Sequence, residues 1–324
     1  MIRYAVIGTS IITEMFVTGA NATGRMSLFA VYSRKQHTGK AFADKFGCQK
    51  VYCDLDKLCR DTDIDAVYVA SPNVCHAPQT EILLNAGKHV ICEKPITTNA
   101  AEYKRLKELA DKKGLIYIEA IIPVYNKSRD RIKSALGEIG NIAIAKIDYC
   151  QRSSRYDSFS AGNHVNIFDM SLYAGTLMDL GVYCVYAACD LCGMPKDIKA
   201  SASFLKNGAD GVGAAIFEYD GFNAVLTYSK TGQSVVPTEI VGDSGSVIME
   251  RAVYYQDAYL VKDGKRTPLF DDVSKETLMG YEAIAFCDFI AGKRLDEYSE
   301  NSDLCFNVHT CMDKIKLSAD IKYN

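Results

Sequence analysis

The side chains best suited to proton transfer lie in two separate stretches of the sequence. Lys94 follows a short apolar run within Glu93-Lys94-Pro95, while Asp179 and Tyr183 stand four residues apart in an apolar stretch. If that stretch is helical, the acid and the phenol share one face. An ammonium, a carboxylate and a phenol can together take and return a proton at a substrate hydroxyl. The spacing is equally compatible with residues that have no catalytic role. Lys94 would then be a surface lysine, Asp179 an aspartate at a helix start and Tyr183 a core tyrosine.

A second feature is a glycine turn near the N-terminus. Gly8-Thr9-Ser10-Ile11-Ile12-Thr13 directly follows the first apolar run and begins a helical pattern. Amide groups and the helix dipole at such a point favour a pyrophosphate. Ser10 and Thr13 replace the second and third glycines of the G-x-G-x-x-G fingerprint. An ordinary strand-to-helix turn is the alternative, but its place at the head of a βαβ series favours dinucleotide binding.

The end of the second apolar run bears on the choice of cofactor. NAD sites usually carry an acidic residue there to accept a hydrogen bond from the ribose 2′-hydroxyl. This chain has Ser33-Arg34-Lys35, with no carboxylate. Arg34 can pair with a 2′-phosphate and Ser33 can hydrogen-bond to it. A solvated basic turn is the alternative; we predict NADP(H) as cofactor, in preference to NAD(H).

Alternating patterns in the first 120 residues predict the element that positions these groups. Short buried strands separated by helices indicate a doubly wound parallel sheet, the Rossmann arrangement. The predicted strands are 2–7, 27–32, 50–52, 66–70, 89–92 and 115–119, and the predicted helices are 11–22, 38–46, 55–60, 79–86 and 100–113. At the end of its fourth strand lie Ser71-Pro72-Asn73 and, at a helix start, His76, which we expect to shape the cofactor pocket.

Beyond residue 120 the sequence pattern changes to predicted strands joined by tight turns, which is typical of antiparallel hairpins. The predicted elements are helix 127–136, strand 142–149, helix 177–192, strands 200–205, 213–219, 223–229, 238–242, 246–250 and 259–262, and helices 276–291 and 304–317. The chain is therefore predicted to be an α/β protein with a dinucleotide-binding domain over 1–120 and a substrate-binding and oligomerisation domain over 121–324.

A polar segment over residues 151–173 interrupts this second part. It is longer than an ordinary connection and is therefore expected to be a functional loop or lid. Arg152, Arg155, Tyr156 and His164 could bind a hydroxyl-rich substrate, although a solvated loop explains each of them as well.

Composition excludes several classes of protein. The 324 residues are 48% hydrophobic and 24% charged with a net charge of −3, which argues against disorder and against a nucleic-acid partner. No apolar run reaches the ~18 residues of a membrane helix, so we expect no membrane partner. Twelve cysteines lie mostly within apolar runs, which indicates packing in a reducing, cytoplasmic compartment and no metal site.

The motifs resemble those of the Gfo/Idh/MocA family of NAD(P)-dependent oxidoreductases over nearly the whole chain. The resemblance rests on the Gly8 turn, Ser71-Pro72-Asn73 with His76, Glu93-Lys94-Pro95, Asp179-x-Gly181-x-Tyr183 and Tyr281-Glu282. It implies a Rossmann domain followed by a domain with a large open, mostly antiparallel sheet. One sheet face would line the active site, and the other would form a contact between subunits.

The resemblance also implies roles. Lys94 matches the family's active-site lysine, Asp179 its acidic position, and Tyr281 a position near the nicotinamide. Many members carry histidine where this chain has Tyr183. The tyrosine is shared with glucose–fructose oxidoreductase and dimeric dihydrodiol dehydrogenase and so marks a subgroup.

These patterns predict an enzyme that moves hydride between a nicotinamide and a CH–OH carbon of a sugar, polyol or cyclic diol. Lys94 and Tyr183 would meet at the nicotinamide, and which of them transfers the proton stays open. The alternatives are a regulator that senses NAD(P) without turnover, and a glycosidase acting by a redox route. An exposed sheet face predicts a homodimer or larger homo-oligomer.

Overall fold

The structure is a computed structural model that describes residues 1–323, and these residues form two compact units. The first unit consists of Met1–Tyr125 and Val273–Ser302. The second consists of Asn126–Asp272 and the residues from Asp303 onward. The predicted domain boundary at residue 120 therefore lies close to the first change of unit, but the first unit also takes in a later segment of the chain.

Six parallel strands form the sheet of the first unit, in the order β3-β2-β1-β4-β5-β6. This is the Rossmann order, and the predicted doubly wound sheet is confirmed. The strands are β1 Ile2–Ile7, β2 Met26–Tyr32, β3 Lys50–Tyr52, β4 Ala66–Val69, β5 His89–Glu93 and β6 Tyr117–Ala120. All four residues of β4 are buried, as expected where helices cover both faces of a sheet.

Helices pack on the two faces of this sheet. They are α1 Ile11–Ala22, α2 Gln36–Lys45, α3 Leu55–Arg60, α4 Asn73–Asn85, α5 Ala100–Lys112, α6 Ile122–Tyr125 and the later α10 Lys275–Ile290. Helix α10 packs closely on α1: a β-carbon at Gly19 would lie 2.2 Å from the carbonyl oxygen of Glu276. The close approach of these two backbones explains why residues 273–302 belong to the first unit.

An eight-stranded sheet, of order β14-β13-β12-β11-β7-β10-β9-β8, forms the second unit. It is antiparallel except for β7 and β10, which pair in parallel, so the predicted mostly antiparallel sheet is confirmed. Its strands are β7 Ile142–Cys150, β8 Asp197–Phe204, β9 Asp210–Glu218, β10 Asn223–Ser229, β11 Thr238–Gly242, β12 Ser246–Arg251, β13 Gln256–Lys262 and β14 Lys265–Pro268. The helices are α7 Ser128–Leu136, α8 Tyr156–Ser160 and α9 Val182–Cys192, while α11 Leu295–Ser318 contains residues of both units.

Several predicted boundaries were wrong. Helix α4 begins at Asn73 instead of residue 79 and contains Pro78 in its interior, although proline is disfavoured there. Helix α11 begins at Leu295 instead of residue 304. Strand β14 was not predicted, because all four of its residues are exposed and carry no apolar alternation.

The predicted helix over 177–192 consists of two parts. Residues Leu177–Gly181 form a π-helical turn, and α9 follows directly from Val182. One stretch, Met170–Cys192, is long and apolar enough by composition to cross a membrane, contrary to the sequence expectation. However, 72% of its most apolar window is buried inside the fold, as in the core helix of a globular domain.

The polar segment over residues 151–173 is folded. It contains α8 and two 3₁₀ turns, Asn166–Phe168 and Met170–Leu172. These surround a small apolar cluster of Val165, Phe168 and Ala209. The segment is therefore held by its own core.

Candidate functional site

The Gly8 turn follows β1 and contacts the ends of the two strands that flank β1 in the sheet, β2 and β4. Gly8 has a φ of +108°, and a β-carbon added to it would lie 2.4 Å from the carbonyl oxygen of Ala70, just after β4. Its amide donates to the carbonyl oxygen of Tyr32, at the end of β2, over 3.4 Å. Only glycine meets both the conformation and the space at this point.

The start of α1 fits a phosphate group. Ser10 is the N-cap residue in extended conformation, and its hydroxyl makes no capping hydrogen bond within the described residues. Instead it lies 3.4 Å from the Thr13 hydroxyl. The first amides of α1 are therefore not occupied by the N-cap side chain, and these are the groups that hold a pyrophosphate in dinucleotide folds.

The end of β2 is basic and open. Ser33 is half-buried and Arg34 is exposed, directly after the strand that neighbours the Gly8 turn. The 2′ position of an adenosine ribose is read from this strand end in dinucleotide folds. An arginine and a hydroxyl there suit a phosphate group.

Lys94 projects from a buried strand end. It is the one partly exposed residue among Val90–Thr98, and its peptide bond to Pro95 is cis. The neighbouring Glu93 carboxylate is buried and accepts a 2.5 Å hydrogen bond from the Tyr68 hydroxyl and a 3.2 Å bond from the Lys94 amide. Burial raises the pKa of Glu93. Glu93 thus fixes the strand end from which Lys94 emerges.

His76 links two strand ends of the first unit. Its Nδ1 lies 2.8 Å from the Pro95 carbonyl oxygen and its Nε2 lies 2.8 Å from the Ser71 carbonyl oxygen. Burial lowers the pKa of His76, so the neutral ring can donate to only one of the two carbonyls. His76 therefore holds the segment Ser71-Pro72-Asn73 beside the Lys94 turn.

Helix α10 adds a further buried acid to this unit. Tyr281 is half-buried, and the adjacent Glu282 is fully buried with neither carboxylate oxygen hydrogen-bonded within the described residues. Burial raises the pKa of Glu282, and the nearby Glu93 raises it further. Burial and the charge of Glu93 both favour the protonated form of Glu282.

In the second unit, Asp179 and Tyr183 stand out from their surroundings. They are the two partly exposed residues in the otherwise buried stretch from Gly175 to Leu191. Asp179 lies in the π-helical turn and Tyr183 in the first turn of α9. π-turns within helices are frequent at functional sites. The predicted pairing of an acid with a phenol on one accessible face agrees with this burial pattern.

Sequence reasoning missed two neighbours of this pair. Lys230, which directly follows β10, is buried and forms an ion pair with the carboxylate of Asp179. The ring of Tyr149, near the end of β7, packs edge-on against Tyr183 with 5.8 Å between centroids. The sequence signal for Lys230 was a lysine directly after a predicted strand, over 223–229.

A cavity of about 240 Å³ opens beside Tyr149. Its walls come from the end of β7, the loop before β11 and the end of β12, and the residues include Gln151, Gln233, Ser234 and Arg251. The Tyr149 hydroxyl donates to Gln151 Oε1 over 3.1 Å. Amides, hydroxyls and a guanidinium are groups that bind sugar hydroxyls.

The side chains of the polar segment are mostly engaged with one another. Arg152 pairs with Asp157 at 2.5 Å, and His164 pairs with Asp169 at 2.7 Å. The ring of Tyr156 packs against the small core of the segment. A role for these residues in substrate binding stays a prediction.

Comparison with known proteins places the chain in a family. Residues 2–121 match the oxidoreductase family with an NAD-binding Rossmann fold, and residues 126–248 match the GFO/IDH/MocA C-terminal domain. The chain is 35% identical over 330 residues to scyllo-inositol 2-dehydrogenase (NADP(+)) IolU of Bacillus subtilis, covering 100% of this chain and 98% of the relative. It is 26% identical to mouse trans-1,2-dihydrobenzene-1,2-diol dehydrogenase, covering 68% of this chain and 66% of that protein.

A solved structure shares the fold. The 3-ketoreductase KijD10 of Actinomadura kijaniata superposes with a TM-score of 0.84 at 24% identity, covering 98% of each chain. The Rossmann sheet with its glycine turn, followed by the eight-stranded sheet, defines an NAD(P)-dependent oxidoreductase. The chain belongs to the Gfo/Idh/MocA oxidoreductase family.

Proposed function

We propose that the protein transfers hydride between NADP(H) and a CH–OH carbon of a cyclic polyol, sugar or cyclic diol. The proposal is carried by one observation: Asp179 and Tyr183 alone reach the surface from the buried stretch between Gly175 and Leu191. A carboxylate and a phenol exposed together in a family of oxidoreductases supply the proton chemistry that hydride transfer needs.

NADP(H) is the proposed cofactor. Ser33 and Arg34 would hold its 2′-phosphate, and Gly8, Thr9, Ser10, Ile11 and Ile12 its pyrophosphate. Ser71, Pro72, Asn73, His76, Glu93, Lys94 and Tyr281 would surround the rest of the molecule. The name of the Bacillus subtilis relative, an NADP(+)-dependent scyllo-inositol 2-dehydrogenase, supports both the phosphate and a cyclic polyol.

When bound, the nicotinamide supplies or accepts the hydride, and the proton is left to the protein. In oxidation Tyr183 or Lys94 takes the proton of the substrate hydroxyl, and in reduction the same group returns it. Asp179 orients the substrate. Where Tyr183 is the group that takes the proton, a protonated Lys94 would stabilise the negative charge that develops on the substrate oxygen.

The experiment is a turnover assay. Purified protein is mixed with NADP⁺ or NAD⁺ and a panel of inositols, aldoses and trans-cyclic diols, and absorbance of the reduced nicotinamide is followed. We expect turnover with NADP⁺ and at least one cyclic polyol. Tight NADPH binding without turnover on the whole panel contradicts the proposal and favours a regulator that senses the cofactor.

A further inference from the structure

Lys230 is a buried cation at the centre of the second unit's candidate site. It is 4% exposed, although lysine is rarely buried without a specific partner. Its ammonium pairs with the carboxylate of Asp179, whose side chain is 37% exposed. The pair therefore joins a residue from the interior to one at the surface of the stretch that carries Tyr183.

The backbone of Lys230 is fixed on two sides. Its amide donates to the Gly211 carbonyl oxygen over 3.1 Å, and its carbonyl oxygen accepts from the Ser153 amide over 2.9 Å. One residue earlier, the Ser229 carbonyl oxygen accepts from the Gln151 amide over 2.9 Å. Lys230 is thus tied both to β9 and to the first residues of the polar segment, so its side chain starts from a defined position.

A second carboxyl group, that of Asp210, also acts on this region. Asp210 is 1% exposed, and one of its oxygens accepts from the Leu177 amide over 2.6 Å, at the start of the π-helical turn. Burial raises the pKa of Asp210 to about 7, while the charge of Lys230 acts in the opposite direction. A protonated Asp210 carries no negative charge. The ion pair that the structure shows for the buried ammonium is the one with Asp179.

We propose that Lys230 is a positioning residue that holds the carboxylate of Asp179 in the orientation needed beside Tyr183. This inference rests on the proposed function, since it assigns Lys230 to the same reaction. A partly exposed aspartate can otherwise rotate toward water, and a displacement of about 1 Å at a reacting group can lower the rate about 10²-fold. Removal of the ammonium also removes this ion pair from the Asp179 carboxylate.

Kinetics of three variants test the inference. Lys230→Met keeps the length of the side chain and removes its charge, and Lys230→Arg keeps the charge. We expect Lys230→Met to lower kcat about 10²-fold with little change in the KM for NADP⁺, and Lys230→Arg to recover at least part of the loss. Lys146→Met, which removes an exposed lysine paired with Glu239 in the same sheet, should match the wild type.

Crystal structures of the wild type and Lys230→Met give a readout that does not need turnover. We expect the Asp179 carboxylate to leave its position in the variant. An unchanged Asp179 in a folded Lys230→Met protein, or a kcat equal to that of the wild type, overturns the inference. If the wild type turns over no polyol, the proposed function fails, and the crystal structures still decide whether Lys230 positions Asp179.

Discussion

A free phenol has a pKa of about 10, so at neutral pH it is a weak base unless its surroundings favour the phenolate. This limits what Tyr183 can do alone and explains why a lysine is part of the proposed chemistry. A positive charge next to a phenol stabilises the phenolate. In the proposed mechanism Lys94 would provide such a charge.

Removal of the phenolic hydroxyl is the direct test of this role. We expect Tyr183→Phe to lower kcat about 10²- to 10⁴-fold, because proton transfer to a positioned group contributes that much. Cofactor affinity should stay unchanged, as measured by NADPH fluorescence titration. Tyr259→Phe, on strand β13, is the matched control and should have wild-type turnover.

Lys94→Ala complements that test. If the two residues act in one proton transfer, each single variant should lose most of the activity and the double variant little more. Full turnover by both single variants would show that neither residue handles the proton.

The proposed preference for NADP(H) depends mainly on the exposed side chain of Arg34. A hydrogen bond to a charged group contributes about 1.5–3 kcal/mol, so Arg34→Ala should weaken NADPH binding about 10- to 100-fold. NADH, which has no 2′-phosphate, should bind Arg34→Ala and wild type about equally. Isothermal titration with both cofactors measures this, and a parallel loss for NADH would contradict a role for Arg34 in phosphate recognition.

At the residue scale, the sequence singled out side chains that belong to local motifs. Lys94 and the pair of Asp179 and Tyr183 were proposed from their neighbours in the chain, and their roles stay predictions. Lys230 was not proposed, because its partner Asp179 lies 51 positions earlier in the sequence. The contact depends on the packing of β10 against the π-helical turn, which no local pattern reveals.

At the scale of elements, the Gly8 turn packs closely against the end of β4 and is also the proposed site of the pyrophosphate. Gly8→Ala places a β-carbon 2.4 Å from the Ala70 carbonyl oxygen, at a φ of +108°. We expect lower thermal stability and loss of the stabilisation that NADPH gives to the wild type. The strain of such a backbone position alone is about 1–3 kcal/mol.

Gly24→Ala is the matched control for that experiment. Gly24 also has a positive φ, of +67°, but no atom lies within 4 Å of an added β-carbon in the described residues. It should lose some stability and keep its response to NADPH. A Gly8→Ala protein with wild-type NADPH affinity would show that the turn tolerates a side chain and does not hold the pyrophosphate.

Element types were predicted well where burial is continuous and poorly where it is not. The buried strands β1 and β4 and the helix α1 followed from apolar runs. Strand β14 is held by backbone pairing with β13 and has four exposed side chains, so no apolar pattern marks it. The π-helical turn spans only five residues, over which a change of period is not visible in the sequence.

At the scale of the whole molecule, the division into units depends on distant contacts. Segment Val273–Ser302 belongs to the first unit because α10 packs against α1 through Gly19 and Gly280. These two glycines are far apart in the chain, and no sequence pattern predicts their contact. The architecture of the two sheets was predictable from the sequence, whereas the return of the chain to the first unit was not.

The unfolding free energy of the protein should depend on pH through the buried acid Asp210. Its pKa is raised to about 7, so between the ordinary aspartate value near 3.8 and pH 7 the folded protein holds a proton that the unfolded chain has lost. The unfolding free energy from this group is therefore greatest below pH 4 and falls as the pH rises to 7. At about 1.4 kcal/mol per unit, the loss is at most about 4 kcal/mol.

Asp210→Asn keeps an acceptor for the Leu177 amide and removes the titration. We expect wild type and variant to differ in the slope of unfolding free energy against pH, with the variant gaining on the wild type between pH 5 and pH 8. Urea unfolding at several pH values measures this, and Asp272→Asn, which changes an exposed aspartate, gives the background slope. Parallel curves for wild type and Asp210→Asn would mean that Asp210 is already ionised in the folded protein at pH 5. The charge of an ionised Asp210 would then act on the buried ammonium of Lys230 in addition to that of Asp179.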